Sequence, residues 1–247
     1  MNVIINADDF GLNEHCSFAI AEAFEKGLIT DTTIIANGEY FDDAVELSRK
    51  NHFNDRIGIH FNITEGTPLT ENIKKMSAFT ENGRFHGKIN RIKPLSKDEK
   101  TAVYEELSAQ IIKIENAGLK VTHADSHHHI HTAIFIAPIF MRVCKEHGIN
   151  KLRLHRNIGS ISLFKKLIKK SYNSFLRKKG FVTTKFFGSL EDIKNRAVFE
   201  NLEVMVHPDF DKQGKLIDRT DVQGGYPIGL ELKKICEYIK LTSYGEL

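Results

Sequence analysis

The chain has 247 residues, of which 41% are hydrophobic and 27% are charged. This balance is ordinary for a globular protein, and the length suffices for one sizeable core. No segment approaches the roughly 20 consecutive apolar residues of a membrane span, and the net charge of +3 gives no reason to expect nucleic acid. We therefore predict a single domain over residues 1–247, with neither a nucleic-acid partner nor a membrane partner.

The N-terminus and the cysteines predict the cellular setting. The first residues, MNVIINADDFG, lack a basic segment before a long apolar one, so no secretory signal is predicted and a cytoplasmic protein is expected. Cys16, Cys144 and Cys236 are far apart and odd in number, which argues against a disulfide framework. The histidines are the unusual feature, because five of the 12 fall between His123 and His131.

Along the chain, short segments rich in Val, Ile, Thr or Phe alternate with segments of helical periodicity. The predicted strands are Val3–Ala7, Thr32–Ala36, Ile57–Ile63, Val121–Ala124, Lys151–Leu154, Lys185–Phe187 and Glu203–Val206. The predicted helices lie near 20–28, 41–50, 103–114, 134–147, 161–178, 190–201 and 229–241. Residues 64–98 have no strong periodicity and contain several Gly and Pro, so we expect a long ordered loop that helps to cover a site.

Seven alternating units predict an α/β fold with a parallel sheet, either closed as a barrel or doubly wound. A dinucleotide-binding sheet would carry GxGxxG after its first strand, whereas this chain has Ala7-Asp8-Asp9-Phe10-Gly11 there. We therefore favour a distorted (β/α) barrel, similar to a TIM barrel, with about seven parallel strands.

Polar residues follow several predicted strands, at the ends where loops converge in parallel α/β folds. Asp8 and Asp9 end the first strand, and His207 ends the last. In IGIHFNI the alternation of side chains places His60 on the face opposite the isoleucines. The same alternation would place His123, Asp125 and His127 on one face of the fourth strand. Such a set suits a divalent metal that activates water.

Each of these residues also has a structural interpretation. A histidine such as His60 at a strand end is more often a hydrogen-bonded packing residue than a ligand, and Asp8-Asp9 could cap the next helix. Roles in orienting ligands or lining the loop are favoured for the other histidines of the cluster, which are His123, His128, His129 and His131. The basic run Lys165–Lys179 has the spacing of a solvated amphipathic helix, which we favour over a nucleic-acid footprint.

Four segments, taken together, resemble a known family in order and spacing. They are Asn6–Gly11 (NADDFG), Gly58–Gly66 (GIHFNITEG), Thr122–His131 (THADSHHHIH) and Glu203–Pro208 (EVMVHP). They resemble the YdjC-like carbohydrate deacetylases, which include the chitooligosaccharide deacetylases, and the resemblance runs from residue 2 to Tyr244. It implies a distorted (β/α) barrel that hydrolyses the N-acetyl group of an amino sugar with one divalent cation, magnesium or zinc.

Carried over by position, the resemblance implies that Asp9, His60 and His127 hold the metal. Asp8 would then be the general base and His207 the general acid. The expected partner is a small N-acetylated sugar, and a homodimer is left open. Residues 64–98 do not align by motif, and Asp209-Phe210 stands where family members often have a small residue, so the choice of sugar stays open. The metal also stays open, because two imidazoles favour zinc or a transition ion whereas an oxygen-rich shell tolerates magnesium.

The sequence leaves two other functions open. A metal-dependent phosphoesterase of barrel fold would want more carboxylates for a second metal and an Arg or Lys clamp, for which Arg153 and Arg156 are the candidates. A non-catalytic sugar-binding or scaffold protein is the other. It has no use for a base and an acid beside the ligand set, so Asp8 and His207 argue against it.

Overall fold

The computed structural model describes residues 2–193, 200–219, 226–228 and 240–247. Its strands are β1 (Asn2–Phe10), β2 (Asp31–Ile34), β3 (Ile57–Phe61), β4 (Thr80–Glu81), β5 (Arg84–Phe85), β6 (Ala124–Ser126), β7 (Phe186–Ser189), β8 (Leu202–Val206), β9 (Pro208–Phe210), β10 (Leu216–Asp218), β11 (Tyr226–Pro227) and β12 (Lys240–Leu241). Its helices are α1 (Glu14–Glu25), α2 (Phe41–Lys50), α3 (Glu71–Lys74), α4 (Lys97–Asn116), α5 (Ala137–Glu146), α6 (Leu163–Lys178) and α7 (Leu190–Ile193).

Seven parallel strands form the main sheet, in the order β6-β3-β2-β1-β8-β7 with β12 also paired to β1. The sheet curls into a half-barrel, which confirms the predicted distorted (β/α) barrel. Its central strands are buried along nearly their whole length because helices and loops cover both faces. In the described part of the chain, no helix combines the length and the apolar character needed to cross a membrane.

The strands differ from the prediction at two places. The fourth strand is Ala124–Ser126 rather than Val121–Ala124, because His60 and Phe61 of β3 pair with Asp125 and Ser126. The predicted strand Lys151–Leu154 forms only isolated bridges, from Lys151 to Val182 and from Leu152 to Ala124. The seventh strand of the sheet is instead β12, in a region where we predicted the end of a helix.

The predicted helix over 229–241 lies outside the described residues up to 239, as does the 194–199 part of the predicted helix over 190–201.

Residues 64–98 contain short elements that the sequence analysis did not predict. Helix α3 is followed by the hairpin β4–β5, whose turn residues Asn82 and Gly83 both have positive φ. Asn-Gly is the strongest short-range hairpin signal, so this turn could have been recognised. The antiparallel sheet β9–β10–β11 was also missed, because its strands have only two or three residues each.

A glycine in β3 makes room for a histidine of the barrel interior. A Cβ on Gly58 would lie 2.5 Å from Cε1 of His123. That ring has little freedom to move, since it stacks on Tyr244 with ring centroids 3.7 Å apart and its Nε2 lies 3.0 Å from Asn6 Oδ1. The close contact therefore ties β3 to β1 and to the C-terminal segment.

We expect Gly58→Ala to lower the free energy of unfolding by about 1–3 kcal/mol, since the added methyl group overpacks the interior. Urea unfolding measures this cost. In a His123→Ala background the methyl group has space, so the same substitution should cost much less. An equal cost in both backgrounds would show that the His123 ring is not the obstacle.

Candidate metal centre and active site

Strand β1 presents two adjacent carboxylates, Asp8 and Asp9, to one site. A regular strand would send neighbouring side chains to opposite faces. Asp9, however, has a φ of 71°, and the register with β2 shifts between Ala7 and Phe10. This irregularity turns the Asp9 carboxylate towards His60 and His127 while Asp8 faces Arg153. Left-handed backbone at a non-glycine residue costs free energy and is concentrated at functional sites.

His60 is oriented by a carboxylate on the neighbouring strand. Asp125 is its register partner on β6, and His60 Nδ1 lies 2.6 Å from Asp125 Oδ1. The other ring nitrogen, Nε2, lies 3.3 Å from Asp9 Oδ1. Burial disfavours the imidazolium, but the carboxylates of Asp125, Asp9 and Asp8 outweigh it and raise the pKa of His60 to about 10. A carboxylate behind the imidazole is the usual support of a metal-binding histidine.

His127 begins the 3-10 turn that follows β6. Its Nδ1 lies 2.8 Å from Asp9 Oδ1, and its Nε2 lies 3.0 Å from Oε2 of Glu65. Glu65 therefore contacts the ring nitrogen of His127 that faces away from Asp9, as Asp125 does for His60. Glu65 lies within the Gly58–Gly66 segment, but no sequence pattern marks it as a partner of His127.

The backbone after His127 is held in an uncommon conformation. His128 and His129 have φ values of 51° and 52°, both left-handed. The Arg91 guanidinium donates hydrogen bonds to both of their carbonyl groups, and His128 Nδ1 lies 3.1 Å from Thr64 Oγ1. Residues 64–98 therefore brace the turn that presents His127, in addition to covering the site.

A divalent cation fits the donor atoms of Asp9, His60 and His127. One carboxylate oxygen and two imidazole nitrogens lie within 4.8 Å of one another, and all three residues are buried. Two further groups in the described residues have donor atoms equally close together, Glu65–His127–His128 and Asp8–His60–Asp125. In the latter, Arg153 already occupies both carboxylates, which disfavours a second positive charge. In the former, Glu65 is exposed.

Arg153 binds Asp8 through two parallel hydrogen bonds, from Nη1 to Oδ2 at 2.6 Å and from Nη2 to Oδ1 at 2.7 Å. It also contacts Asp125 and donates from Nε to Glu203 at 2.6 Å. Burial alone would raise the pKa of Asp8, but the guanidinium holds it well below its usual range. The fully buried Arg153 is therefore not available as a phosphate clamp, and Arg156 pairs with Asp192.

His207 follows β8 and lies on the other side of Asp8 from β3. Its Nε2 is 3.8 Å from Asp8 Oδ2, and its backbone N–H donates to Asp218 Oδ1 at 2.9 Å. The missed antiparallel sheet supplies Asp218 and is followed by Arg219, whose Nη2 donates to Asp9 Oδ2 at 3.1 Å. All five predicted site residues are thus brought together, and Arg219 is an addition that short-range sequence patterns did not indicate.

A cleft of about 350 Å³ opens at His127, one of the three candidate ligands. Most of its lining residues have hydrogen-bonding side chains, among them Asn37, Asn62, Glu65, Arg84, His127 and Arg219. Asn62 is fixed in place because it donates to Asn37 Oδ1 at 3.0 Å and accepts from the N–H groups of Thr64 and Glu65. A cleft of this kind suits a small ligand with many hydroxyl and amide groups.

We expect Arg153→Met to lower the free energy of unfolding by about 3–5 kcal/mol near neutral pH, because three buried carboxylates lose their counter-charge. Without the guanidinium, burial raises the pKa of these carboxyls, so the loss should shrink as pH falls and they take up protons.

Arg156→Met is the matched control, since that ion pair is partly exposed and should contribute less than about 1 kcal/mol. Denaturant unfolding at several pH values measures both variants. A cost for Arg153→Met that does not depend on pH would contradict this account.

Comparison with known proteins agrees with the fold and with the four sequence segments. The chain is 34% identical over 166 residues to a carbohydrate deacetylase of Listeria welshimeri and 33% identical to carbohydrate deacetylase 1 of Listeria innocua. Each match covers 67% of this chain and 65% of the relative's length. A crystal structure from Enterococcus faecalis V583, proposed to be a cellobiose-phosphate cleavage protein, superposes with a TM-score of 0.73 at 24% identity.

That superposition covers 98% of this chain and 97% of the other, so the two share a fold. The family model described as YdjC-like protein matches residues 2–243, which contain every residue of the site described above. The chain therefore belongs to the YdjC-like protein family.

Proposed function

We propose that this protein is a carbohydrate deacetylase that hydrolyses the N-acetyl group of a small amino sugar such as a chitooligosaccharide. The observation that carries the proposal is the convergence of Asp9, His60 and His127 on one point beside Asp8 and His207. The names of the Listeria relatives and the family support the same reaction class. The phosphoesterase alternative is weaker because the guanidinium of Arg153 is bound by three carboxylates.

Asp9, His60 and His127 would hold one divalent cation, magnesium or zinc. When bound, the cation supplies Lewis-acid polarisation of the acetyl carbonyl and lowers the pKa of water. Asp125 Oδ1 lies within hydrogen-bond distance of His60 Nδ1, which leaves Nε2 facing Asp9 and the position that the cation would occupy. Glu65 Oε2 lies within hydrogen-bond distance of His127 Nε2, which leaves Nδ1 facing Asp9.

Asp8 would take the proton of the attacking water. The Arg153 guanidinium lowers the pKa of Asp8 and so favours its ionised form. A carboxylate retains lone pairs beyond the two that accept from Arg153. His207, whose Nε2 lies 3.8 Å from Asp8 Oδ2, would give a proton to the departing amine. An amine is a poor leaving group, so this proton transfer is a large part of the barrier.

Acetate release tests the reaction class. We expect the protein supplied with magnesium or zinc to release acetate from N-acetylglucosamine oligomers and to leave a phosphodiester intact. Asp8→Asn should lower kcat by about 10²–10⁴, the scale of a positioned general base. Cleavage of the phosphodiester to a phosphomonoester and an alcohol, without acetate release, would replace the proposal with the phosphoesterase function.

Metal content tests the ligand set. His60→Ala and His127→Ala should each lose most of the bound ion and nearly all activity, because each removes one of only three protein ligands. His128→Ala is the control, since it belongs only to the Glu65 group. Elemental analysis of dialysed protein decides between the two positions, because an ion lost from His128→Ala and retained by His60→Ala would place it beside Glu65.

The acid role of His207 predicts a dependence on the leaving group. His207→Ala should slow hydrolysis of an N-acetyl sugar by about 10²–10⁴ and slow nitrophenyl acetate hydrolysis far less, because a phenolate departs without a proton. Parallel kinetics with both substrates at confirmed metal content measure this. Equal losses would mean that His207 only supports the end of β8.

A further inference from the structure

Helix α6 presents an apolar stripe to solvent instead of to the core. Leu163, Phe164, Leu167, Ile168 and Phe175 are between 40% and 81% exposed. They are five of the ten large hydrophobic side chains that are exposed in the described part of the chain. Isolated exposed apolar residues need no explanation, but a contiguous group usually marks an interaction surface. We call these five residues the α6 stripe.

The opposite side of α6 is the one that packs on the protein, and it does so mainly through polar contacts. Asn173 is buried and exchanges two hydrogen bonds with the backbone of His155, at 2.8 and 3.0 Å. Tyr172 donates to the carbonyl of His131 at 2.9 Å, and Leu176 is the buried apolar residue of the helix. The helix is therefore fixed in an orientation that turns the α6 stripe outwards, the reverse of an ordinary amphipathic surface helix.

Basic residues surround the α6 stripe. Residues 147–190 contain eleven of the 35 Lys and Arg residues and no Asp or Glu, so the remainder of the chain carries a net negative charge. Exposed basic side chains flank the stripe on both sides and at its C-terminal end, and they are Lys165, Lys166, Lys170, Arg177, Lys178 and Lys179. Among the described residues, none of these six forms an ion pair with a carboxylate. Arg177 donates to Thr183 Oγ1 and to the Thr184 carbonyl. The five lysines meet no carboxylate in the part of the chain that the structure describes, so their charge can meet an external anion.

We propose that the α6 stripe and its basic flanks dock this protein on an anionic phospholipid bilayer. Leucine, isoleucine and phenylalanine side chains would enter the boundary between headgroups and acyl chains, while the lysines reach the phosphates from the flanks. This combination of apolar centre and basic edge is the one that interfacial helices use. The proposal is independent of the deacetylase function, and it departs from the sequence-based expectation of a protein without a membrane partner.

Two other occupants fit the surface less well. Symmetric pairing of this face with its copy in a second molecule would bring two clusters of unpaired lysines together, which costs free energy. Nucleic acid would satisfy the lysines through its phosphates, but it would leave the exposed leucine and isoleucine side chains without an apolar environment. A bilayer provides the negative charge and the apolar phase side by side.

Vesicle co-sedimentation of the full chain tests the proposal. We expect binding to vesicles of phosphatidylcholine mixed with phosphatidylglycerol to exceed binding to phosphatidylcholine alone by about ten-fold or more, and to weaken as salt is raised. Combined Phe164→Gln and Leu167→Gln should reduce binding about ten-fold. Combined Ile112→Gln and Phe18→Gln is the matched control, because both residues are exposed but lie on other helices.

The contribution of the lysines to vesicle binding is tested with the combined Lys166→Gln and Lys170→Gln variant. The control is the combined Lys50→Gln and Lys100→Gln variant, which changes the net charge equally at positions on α2 and α4. Only the first pair should weaken vesicle binding and its salt dependence. All tested side chains are exposed, and unchanged circular dichroism and Tm confirm intact folding. Three results would overturn the proposal: no preference for anionic vesicles, a dimer in sedimentation equilibrium that Phe164→Gln and Leu167→Gln dissociate, or binding to single-stranded RNA that exceeds vesicle binding.

Discussion

Three buried carboxylates share the guanidinium of Arg153, and the geometry of the candidate site depends on this arrangement. Asp8 comes from β1, Asp125 from β6 and Glu203 from β8, so the arginine links strands across the curled sheet. Burying any of these charges alone would cost several kcal/mol or force a proton onto it. The arginine is also fully buried, so its charge needs these partners as much as they need it. This mutual dependence holds the four side chains in one arrangement.

The same network extends in two directions. Towards the site, the Asp125 carboxylate contacts both Arg153 and Nδ1 of His60. The same carboxylate therefore helps to hold the arginine that binds Asp8 and orients a candidate metal ligand. Away from the site, Glu203 accepts a hydrogen bond of 2.5 Å from the Tyr244 hydroxyl, and Tyr244 stacks on His123. The C-terminal segment therefore contributes to the packing beneath the site through one tyrosine.

Strained backbone and its supports surround this network. Asp9, His128 and His129 have left-handed φ values that a non-glycine residue adopts only when its surroundings compensate. For the two histidines the compensation includes the hydrogen bonds from Arg91, and for Asp9 it includes contacts of its carboxylate with His60, His127 and Arg219. Residues far apart in the chain therefore hold the candidate ligands in place. The geometry of the site thus depends on the folding of the whole barrel.

The sequence by itself determined the class of fold and the five candidate site residues. Hydrophobic alternation and helical periodicity depend on local burial, so β1, β3, β8 and most described helices were predicted near their positions. The five candidates could be named because they lie in short segments at strand ends that resemble those of a known family, and their roles stay a proposal. By contrast, the partners of Arg153, the role of Glu65 and the approach of Arg219 to Asp9 depend on contacts between residues far apart in sequence.

The outward direction of the α6 stripe likewise follows from Asn173 binding the His155 backbone. Periodicity predicts that a helix has two faces without deciding which one packs. Only tertiary structure decides such features, because the free energy of a buried charge or an apolar face depends on what surrounds it.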